Sequence, residues 1–508
     1  MNYKQKSIYY FKKYSVYLIL LIASGLRLYQ LGRRDFWYDE AFTGIAIKES
    51  WSGMMKMIMV DVHPPLYYLS LKFFASFFNF SVYGIRLYSV IFGILSVLAV
   101  YLLTRELFNK KAALLASLLA AISPFAIQYS MEARMYSMLS FGIIIAAYFF
   151  VKGLKTERIK YYVLFGIFLG LSALTHYMGI IIAPIFYMIY VIWKILKSSV
   201  VSRQLSVKSL LSLSKGVLPD KNIFFGFGVA VLVFSPWISS FIRHMIKNAT
   251  SNSLDWIRPA NLGDIPVNIQ MFIFGTPLGE MSSGMPGPNE FYGIADISAW
   301  VLVTVFLTLV IVYLFKYSKK TKEIVTIITL SLGFMALVWL FGFFGKYFFV
   351  ARYLLPAGYF IFILLGYWLS RIRLSYSALA VGAYIILLFT TIPLGYSEGW
   401  NVFAKDLGKY KNNNFYILNS FDYVIAKYYL GADQLTLYNV DWPPYNPDYW
   451  AAIGKSLKRT ENFEDLRGDK NGLIISNIQL GGQDNVNFDP NGLQLVAQYK
   501  NILIYKFQ

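Results

Sequence analysis

The chain has 508 residues, of which 57% are hydrophobic and only 15% are charged, and it contains no cysteine. Soluble domains have roughly 45–50% apolar and ~25% charged residues, so this composition excludes an ordinary soluble protein, and the lack of cysteine excludes disulfides. The formal net charge is +20, but residues 396–508 hold almost equal numbers of acidic and basic residues. The excess of basic residues therefore belongs to the apolar part, and we predict no nucleic-acid partner.

Apolar stretches long enough to cross a membrane recur from residue 15 to about residue 395. About 18 or more consecutive apolar residues with few charges are typical of a transmembrane helix. The first stretch has no small-residue cleavage site after it, so we expect a retained helix. We predict about 11 transmembrane helices, near 15–30, 85–103, 112–128, 135–151, 161–176, 178–195, 223–242, 297–315, 324–343, 353–370 and 376–395.

Basic residues are concentrated in alternate connections between the predicted helices. Lys12 and Lys13 precede the first helix, and Lys110 and Lys111 follow the second. Cytoplasmic loops of membrane proteins carry an excess of Lys and Arg. We therefore predict a multi-pass plasma-membrane protein with a cytoplasmic N-terminus and an extracytoplasmic C-terminal part.

Two long connections fall on the predicted outer side, at 31–84 and 243–296. The first is only weakly polar, and its segments 41–51 and 64–78 have the pattern of short amphipathic helices at a membrane surface. The second is rich in Gly, Pro, Asn and Ser. We assign both loops to a membrane domain of residues 1–395.

The pattern changes at about residue 396. Short β-prone runs near 415–418, 434–440, 472–475, 493–498 and 501–506 surround one helical pattern at 423–430. Alternating strands and helices indicate an α/β arrangement. We predict a soluble extracytoplasmic α/β domain over residues 396–508.

Two adjacent acids, Asp39 and Glu40, follow Trp37 and Tyr38 at the start of the first outer loop. A carboxylate at the water boundary can act as a general base towards an attacking hydroxyl. The alternative is structural, because acids near the start of a helix stabilise its dipole.

The same loop continues with Asp61, His63 and two prolines before Tyr67. A Pro-Pro pair can start a helix, and backbone N–H groups at a helix start favour an anion. His63 is therefore a candidate phosphate contact. A packing or capping role is the simpler alternative.

Cations also occur on the predicted outer side. Glu132 and Arg134 lie in the connection before Tyr136, and Lys346 and Arg352 lie at a later outer membrane edge. Arginine is suited to bidentate phosphate binding. A local ion pair at the first place and snorkelling side chains at the second are the alternatives.

Four motifs together resemble a known family. They are Trp-Tyr-Asp-Glu at 37–40, His-Pro-Pro-Leu-Tyr-Tyr at 63–68, Glu-Ala-Arg-Met-Tyr at 132–136 and Arg-Tyr-Leu-Leu-Pro at 352–356. Their order resembles the membrane glycosyltransferases of the GT-C fold, in the branch of protein O-mannosyltransferases and aminoarabinose transferases. The resemblance covers residues 15–395 and is sharpest over 37–68. It implies transfer of a sugar from a polyprenyl-phosphate donor to an acceptor on the outer face, with inversion.

The resemblance also implies roles for individual residues. Asp39 would be the catalytic base, with Glu40 supporting it and Glu132 as a further acid of the site. The resemblance implies no cofactor. Some members of the fold use a divalent metal ion, and in this chain Asp39, Glu40 and His63 could contribute ligands to one. We predict no metal. The candidates to hold the donor phosphate are His63, Arg134, Lys346 and Arg352, and those for the sugar or acceptor are Asp61, Tyr67 and Tyr136.

The sequence departs from both branches of the family. The aminoarabinose branch tends to have a lysine where this chain has His63, and the additional lumenal repeats of the mannosyltransferase branch are missing. The sugar therefore stays open, and so does the acceptor, which could be a glycan, a lipid or a protein.

The alternatives to a glycosyltransferase are a transporter or flippase for lipid-linked glycans, another polyprenyl-phosphate enzyme such as an O-antigen ligase, and a non-catalytic scaffold. Transporters place polar residues at mid-membrane depth on broken helices, whereas the acids here lie in outer loops.

Overall fold

The computed structural model describes most of the chain. Residues 3–201, 221–250, 259, 261, 263–275, 294–342, 349–391, 399–418, 420–431, 435–438, 458–460, 467–477 and 492–507 are described. The helices of the first 201 residues are α1 (Tyr3–Leu28), α2 (Tyr38–Lys48), α3 (Trp51–Val60), α4 (Leu66–Ser76), α5 (Val82–Leu107), α6 (Lys110–Ile122), α7 (Pro124–Ser130), α8 (Tyr136–Thr156), α9 (Ile159–Thr175), α10 (Met178–Ile181) and α11 (Ala183–Val201). The later helices of the apolar part are α12 (Lys221–Phe234), α13 (Ile238–Thr250), α14 (Asp264–Phe274), α15 (Ile294–Tyr317), α16 (Thr321–Ile328), α17 (Phe334–Phe341), α18 (Leu355–Arg371) and α19 (Leu374–Thr391).

The apolar helices confirm a multi-pass membrane protein. Among the described residues, six helical segments are long and apolar enough to cross a membrane, or seven if the bent pair α6 and α7 forms one span. Four shorter apolar helices accompany them, within α1, α9, α15 and α19. Helices overlap every predicted span, but the count of 11 crossings stays a prediction because four of them fall short in length or hydropathy.

The bend between α6 and α7 exposes backbone carbonyls that a buried arginine satisfies. The two helices meet at 61°, and Pro124 at the start of α7 has no N–H to donate back to Ala120. The Arg27 guanidinium of α1 donates to the carbonyl oxygens of Ala120 (3.3 Å) and Ala121 (2.8 Å), and its Nε donates to Ser130 Oγ (3.1 Å). Because an unpaired polar group is costly inside a membrane, this arginine stabilises the bend.

Glycines allow α9 and α12 to approach at backbone contact. A Cβ atom on Gly166 would lie 2.1 Å from the carbonyl oxygen of Gly226, and one on Gly170 would lie 2.7 Å from that of Ala230. Small residues four positions apart are the usual means of close helix packing in membranes.

The first outer loop forms three short helices where we expected two. The first, α2, ends at Lys48, and α3 begins after Ser50, whose side chain accepts the Gly53 N–H. Our segment 41–51 therefore covers most of α2 and the start of a helix we missed, whereas segment 64–78 corresponds to α4. Within the described part of the second outer loop lies α14, which packs Phe272 against Phe125 of α7.

Residues 399–507, which we call the C-terminal region, contain a six-stranded sheet and confirm an α/β arrangement. The strand order is β3-β2-β1-β4-β6-β5, in which β3, β2, β1 and β4 are parallel and β6 runs antiparallel to both of its neighbours, β4 and β5. The domain boundary near residue 396 stays a prediction. The elements are α20 (Trp400–Asp406), β1 (Asn414–Ile417), α21 (Ser420–Leu430), β2 (Leu435–Tyr438), β3 (Lys458–Thr460), β4 (Gly472–Asn477), β5 (Leu493–Tyr499) and β6 (Ile502–Phe507).

Candidate active site

Four separate segments supply the charged residues of one site. These are the start of α2, the connection from α3 to α4, the turn from α7 to α8, and the short 3₁₀ turn Ala351–Leu354 before α18. The span Ala351–Arg371 is the most deeply buried of the candidate spans. Helix ends and loops converging at one end of a helical bundle are a common way to build a catalytic site.

Asp39 faces Arg134 across this site. Arg134 Nη2 lies 3.8 Å from Asp39 Oδ2, and Arg134 Nη1 donates to the Asp39 carbonyl oxygen at 3.3 Å and to Thr43 Oγ1 at 3.2 Å. The Asp39 side chain keeps 19% of its surface exposed, whereas that of Arg134 keeps only 3%. Asp39 is therefore the accessible member of the pair.

Asp61 and His63 form a second pair in the site. Asp61 Oδ2 lies 3.0 Å from His63 Nδ1 and accepts a hydrogen bond from the Tyr68 hydroxyl at 3.1 Å. Burial alone would raise the pKa of Asp61, but His63 and the charge of Arg134 outweigh burial and lower this pKa to about 2. Asp61 is therefore ionised throughout the neutral range and orients the imidazole.

Arg352 is surrounded by aromatic rings. Its Cζ lies 5.6 Å from the ring centroid of Trp37, 6.0 Å from that of Tyr136 and 5.7 Å from that of Tyr353. Such distances are within the range of cation–π attraction. The rings hold the buried guanidinium beside the residue that starts the Trp37–Glu40 motif.

The buried Glu40 carboxylate holds two elements together. Its carboxylate makes a bidentate pair with Arg86 of α5, at 2.8 Å to Nε and 2.6 Å to Nη2, and also accepts the Ala133 N–H at 2.7 Å. Both side chains are almost fully buried. Burial raises the pKa of Glu40, but the charge and hydrogen bonds of Arg86 outweigh it, so this pKa is lowered. The geometry favours a supporting role for Glu40, which fixes the turn that carries Glu132 and Arg134.

Glu132 is buried in that turn, and its Oε2 has no hydrogen-bond partner among the described residues. Burial raises its pKa to about 7, and the charges that act on it include Arg34, Arg352 and Asp39. It is therefore a second acid in the electrostatic field of the site, and it titrates near neutral pH.

Tyr67 lies behind the described site rather than in it. The Tyr67 hydroxyl is bonded to Ser89 Oγ at 2.8 Å, and Ser89 in turn donates to the Arg134 carbonyl oxygen, so Tyr67 supports the Arg134 turn. Lys346 lies outside the described residues. Tyr136, by contrast, packs near Arg352 and His176, and its buried hydroxyl has no hydrogen-bond partner among the described residues. The site roles predicted from the sequence stay predictions for all ten residues.

His176, at the end of α9, belongs to the site but was missed by the sequence reasoning. Its ring centroid lies 5.4 Å from that of His63 and 4.7 Å from that of Tyr353, and its Nδ1 accepts the Met178 N–H. Burial lowers the pKa of His176, and the charge of His63 lowers it further, so the His176 imidazole is neutral. Its position as the last residue of the predicted span 161–176 was the available signal.

Arg86 was missed as well, although a signal existed. It lies one residue inside the second predicted span, and an ionisable residue within an apolar span marks a functional or structural centre. Its partner Glu40 is 46 positions away in sequence, which is why the pairing itself could not be read from a local pattern.

The described residues contain no group of three or more His, Asp or Glu side chains placed to hold a metal ion. Asp39, Glu40 and His63, which we considered as ligands, point to Arg134, Arg86 and Asp61. The independence from metal and cofactor stays a prediction.

Known structures with the same architecture define the class of protein. ArnT from Cupriavidus metallidurans bound to undecaprenyl phosphate is similar with a TM-score of 0.61 and 12% identity, over 96% of this chain and 97% of that one. The oligosaccharyltransferase AglB from Archaeoglobus fulgidus, in complex with an inhibitory peptide and a dolichol-phosphate, has a TM-score of 0.51 and 14% identity over 92% of this chain and 70% of its own. The protein is a polytopic membrane protein of the GT-C fold, which confirms the predicted fold class.

The sequence comparison agrees with the resemblance found in the motifs. Residues 62–219 match the family described as dolichyl-phosphate-mannose-protein mannosyltransferase. A curated relative, the dolichyl-phosphooligosaccharide-protein glycotransferase 3 of Archaeoglobus fulgidus, is 38% identical over 109 residues. That alignment covers 18% of this chain and 12% of the relative. The similarity to GT-C glycosyltransferases that the motifs indicated is thus confirmed.

Proposed function

We propose that this protein is an integral membrane glycosyltransferase that moves a sugar from a polyprenyl-phosphate donor to an acceptor at the extracytoplasmic face. The observation that carries the proposal is the accessible Asp39 carboxylate, 3.8 Å from the buried Arg134 and in the electrostatic field of Arg352. One base and two arginines in one site meet the two needs of glycosyl transfer, which are a base for the acceptor and cations for the leaving phosphate.

The reaction follows from these groups. The Asp39 carboxylate takes the proton of the acceptor hydroxyl while the acceptor oxygen forms a bond to the anomeric carbon of the sugar. The bond from that carbon to the phosphate oxygen breaks, and its electron pair leaves with the polyprenyl phosphate. Attack from the face opposite the phosphate inverts the anomeric configuration.

Cations would stabilise the charge that develops on the phosphate. Arg134 is held by Thr43 and the Asp39 carbonyl oxygen, and Arg352 by its aromatic surroundings, so neither has to reorganise during the reaction. His63, oriented by Asp61, is a third candidate for this contact. Asp61 and Tyr136 are candidates for the sugar or acceptor, because both have polar groups in the site.

The relatives support the donor class. ArnT was solved with undecaprenyl phosphate and AglB with a dolichol-phosphate, so two proteins of this fold bind a polyprenyl phosphate. The matching family and the curated relative are both named as transferases of dolichyl-phosphate-linked sugars. No such support exists for a transporter, so we do not propose one. A glycan, a lipid or a protein remains an eligible acceptor.

The test is turnover of defined donors. We would offer the purified protein a panel of polyprenyl-phosphate sugars with crude envelope acceptors and measure the release of polyprenyl phosphate. We expect Asp39→Asn, which keeps the shape but removes the base, to lower kcat by about 100-fold or more. Glu323→Gln, a similar change in a Lys320 ion pair outside the site, should keep wild-type turnover.

The possible results separate the class from the residue. Equal turnover by the wild type and Asp39→Asn would retain the enzyme class and reject Asp39 as the base. A wild type that releases polyprenyl phosphate from none of the donors would contradict the proposed function itself.

A further inference from the structure

The C-terminal region holds the chain segment that leads into Asp39. The Asp35 carboxylate accepts backbone N–H groups of Gly399 (2.9 Å), Trp400 (3.1 Å) and Asn401 (3.0 Å). The next residue, Phe36, donates its own N–H to the Tyr429 hydroxyl at 2.9 Å. Two consecutive residues of the outer loop are thus anchored to a region more than 360 positions later in sequence.

The N–H groups that Asp35 accepts are themselves rigid. Gly399 has φ of +114°, and a Cβ atom there would lie 2.0 Å from the carbonyl oxygen of Tyr499 at the end of β5. Only glycine fits this backbone conformation and this contact. The anchor for Asp35 is therefore fixed by the sheet.

The membrane part holds the same segment from its other side. Arg86 Nη1 donates to the carbonyl oxygens of Leu31 (3.2 Å) and Arg34 (2.6 Å), and Arg86 Nη2 donates to that of Asp35 (2.8 Å). The same guanidinium binds the Glu40 carboxylate. Arg86 thus holds residues 31–40 at both ends of the segment. The Asp35 side chain and the Phe36 N–H attach the same segment to the C-terminal region.

A packed contact extends this attachment along α2. The Tyr428 ring of α21 lies 4.7 Å from the Phe36 ring, and Lys48 Nζ lies 3.8 Å from the centroid of Tyr428. The Tyr428 hydroxyl donates to the Phe80 carbonyl oxygen at 3.2 Å. A Cβ on Gly44 would lie 2.5 Å from Tyr428, so α2 and α21 are in direct contact.

We propose that Asp35 is a positioning residue: by binding the backbone of residues 399–401, it lets the C-terminal region set the place of Asp39. The inference rests on the proposed function, in which Asp39 is the base. Asp39 follows Asp35 by four residues and lies in the first turn of α2, so a displacement of the segment moves its carboxylate directly. Only a base within hydrogen-bonding distance of the acceptor hydroxyl can remove its proton, and a misplacement of about 1 Å can cost about 100-fold in rate.

The kinetic test replaces Asp35 by Asn. The amide presents its NH₂ group to at least one of the three N–H donors, so the anchor loses at least one hydrogen bond and its negative charge while the side-chain volume is kept. We expect kcat to fall about 10- to 100-fold, with the KM for the polyprenyl-phosphate donor within a factor of about two of wild type, because the phosphate contacts come from other segments.

The matched control is Asp469→Asn. Asp469 also accepts three hydrogen bonds, from Asn414, Tyr416 and the Asn471 N–H, and all three lie within the C-terminal region. We expect wild-type kcat for this variant. Tyr429→Phe is a second, milder variant, which keeps the ring but removes the acceptor of the Phe36 N–H. We expect a several-fold loss of kcat. This variant keeps the test decisive if Asp35→Asn does not fold.

A structural readout distinguishes positioning from general destabilisation. Since the chain has no cysteine, spin labels can be placed at Lys56→Cys in α3 and Gly408→Cys in the C-terminal region, both of which are exposed. We expect a narrow distance distribution in the wild type and in Asp469→Asn, and a broadened or shifted one in Asp35→Asn.

Each outcome has one meaning. Wild-type kcat in Asp35→Asn and Tyr429→Phe would overturn the proposal, and so would a loss of kcat with an unchanged label distance. A shifted distance in a protein whose wild type turns over no donor would refute the proposed function while leaving the anchoring contact established.

Discussion

Two carboxyl groups of the site have opposite pKa shifts. Asp61 receives hydrogen bonds from Tyr68 and His63, and its pKa falls to about 2. Glu132 is more deeply buried, its Oε2 has no described hydrogen-bond partner, and its pKa rises to about 7. Burial raises the pKa of any acid, and only specific partners reverse the effect. The site therefore keeps one acid ionised while the other changes its charge near neutral pH.

The Glu132 shift predicts a pH-dependent stability. Since the native state holds this proton up to a higher pH than the unfolded state, its stabilisation is complete below the usual pKa of 4.5 and is lost as pH rises through about 7. The shift corresponds to at most about 3 kcal/mol of unfolding free energy. We expect the apparent melting temperature of the wild type to fall more between pH 5 and pH 8 than that of Glu132→Gln, which cannot titrate. Parallel curves for the two proteins would show that Glu132 has an ordinary pKa.

At the scale of elements, the site depends on the close packing of helices α9 and α12. Helix α9 carries His176 at its end and touches α12 through the glycines at 166 and 170. Because the contact is between backbones, no side-chain rotation can relieve an added methyl group.

We therefore expect Gly166→Ala to destabilise the protein by about 1–3 kcal/mol. The control is Gly228→Ala on α12, where a Cβ atom meets nothing within 4 Å. Apparent melting temperatures in detergent measure both effects. If the two variants melt alike, the close approach of α9 and α12 is not present in the protein.

At the scale of the whole molecule, the orientation in the membrane connects the proposed chemistry to its compartment. The candidate site and the C-terminal region lie together, since Asp35 and Phe36 bind residues of both α20 and α21. Whichever side holds that region also holds the site. The distribution of basic residues predicts the extracytoplasmic side.

Single cysteines in this cysteine-free chain test the orientation. We expect Lys411→Cys, exposed in the C-terminal region, to react with a membrane-impermeant maleimide in intact cells or spheroplasts. Lys319→Cys, exposed between α15 and α16, should react only after the membrane is permeabilised. The reverse pattern would place the site in the cytoplasm and contradict the proposed orientation.

Local patterns in the sequence predicted much of the fold. Hydropathy located the six or seven helical spans of the described residues that are long enough to cross a membrane, and β-propensity located five of the six described strands, missing only the three-residue β3 at Lys458–Thr460. Ser50 was a readable start signal for α3, since a Ser side chain that accepts an N–H three residues on is a frequent helix cap. These features succeed because they depend on residues within a few positions of one another.

The sequence by itself determined a multi-pass membrane protein, the GT-C resemblance and the short motifs that contain Asp39, His63, Glu132 and Arg352. Only the tertiary structure decided which of these charges meet. It paired Glu40 with Arg86, set Arg134 beside Asp39, added His176 to the site and joined Asp35 to Gly399 across 364 positions. Hydropathy and propensity act locally along the chain, whereas the partner of a buried charge is fixed by the path of the whole chain and by the cost of leaving that charge unpaired.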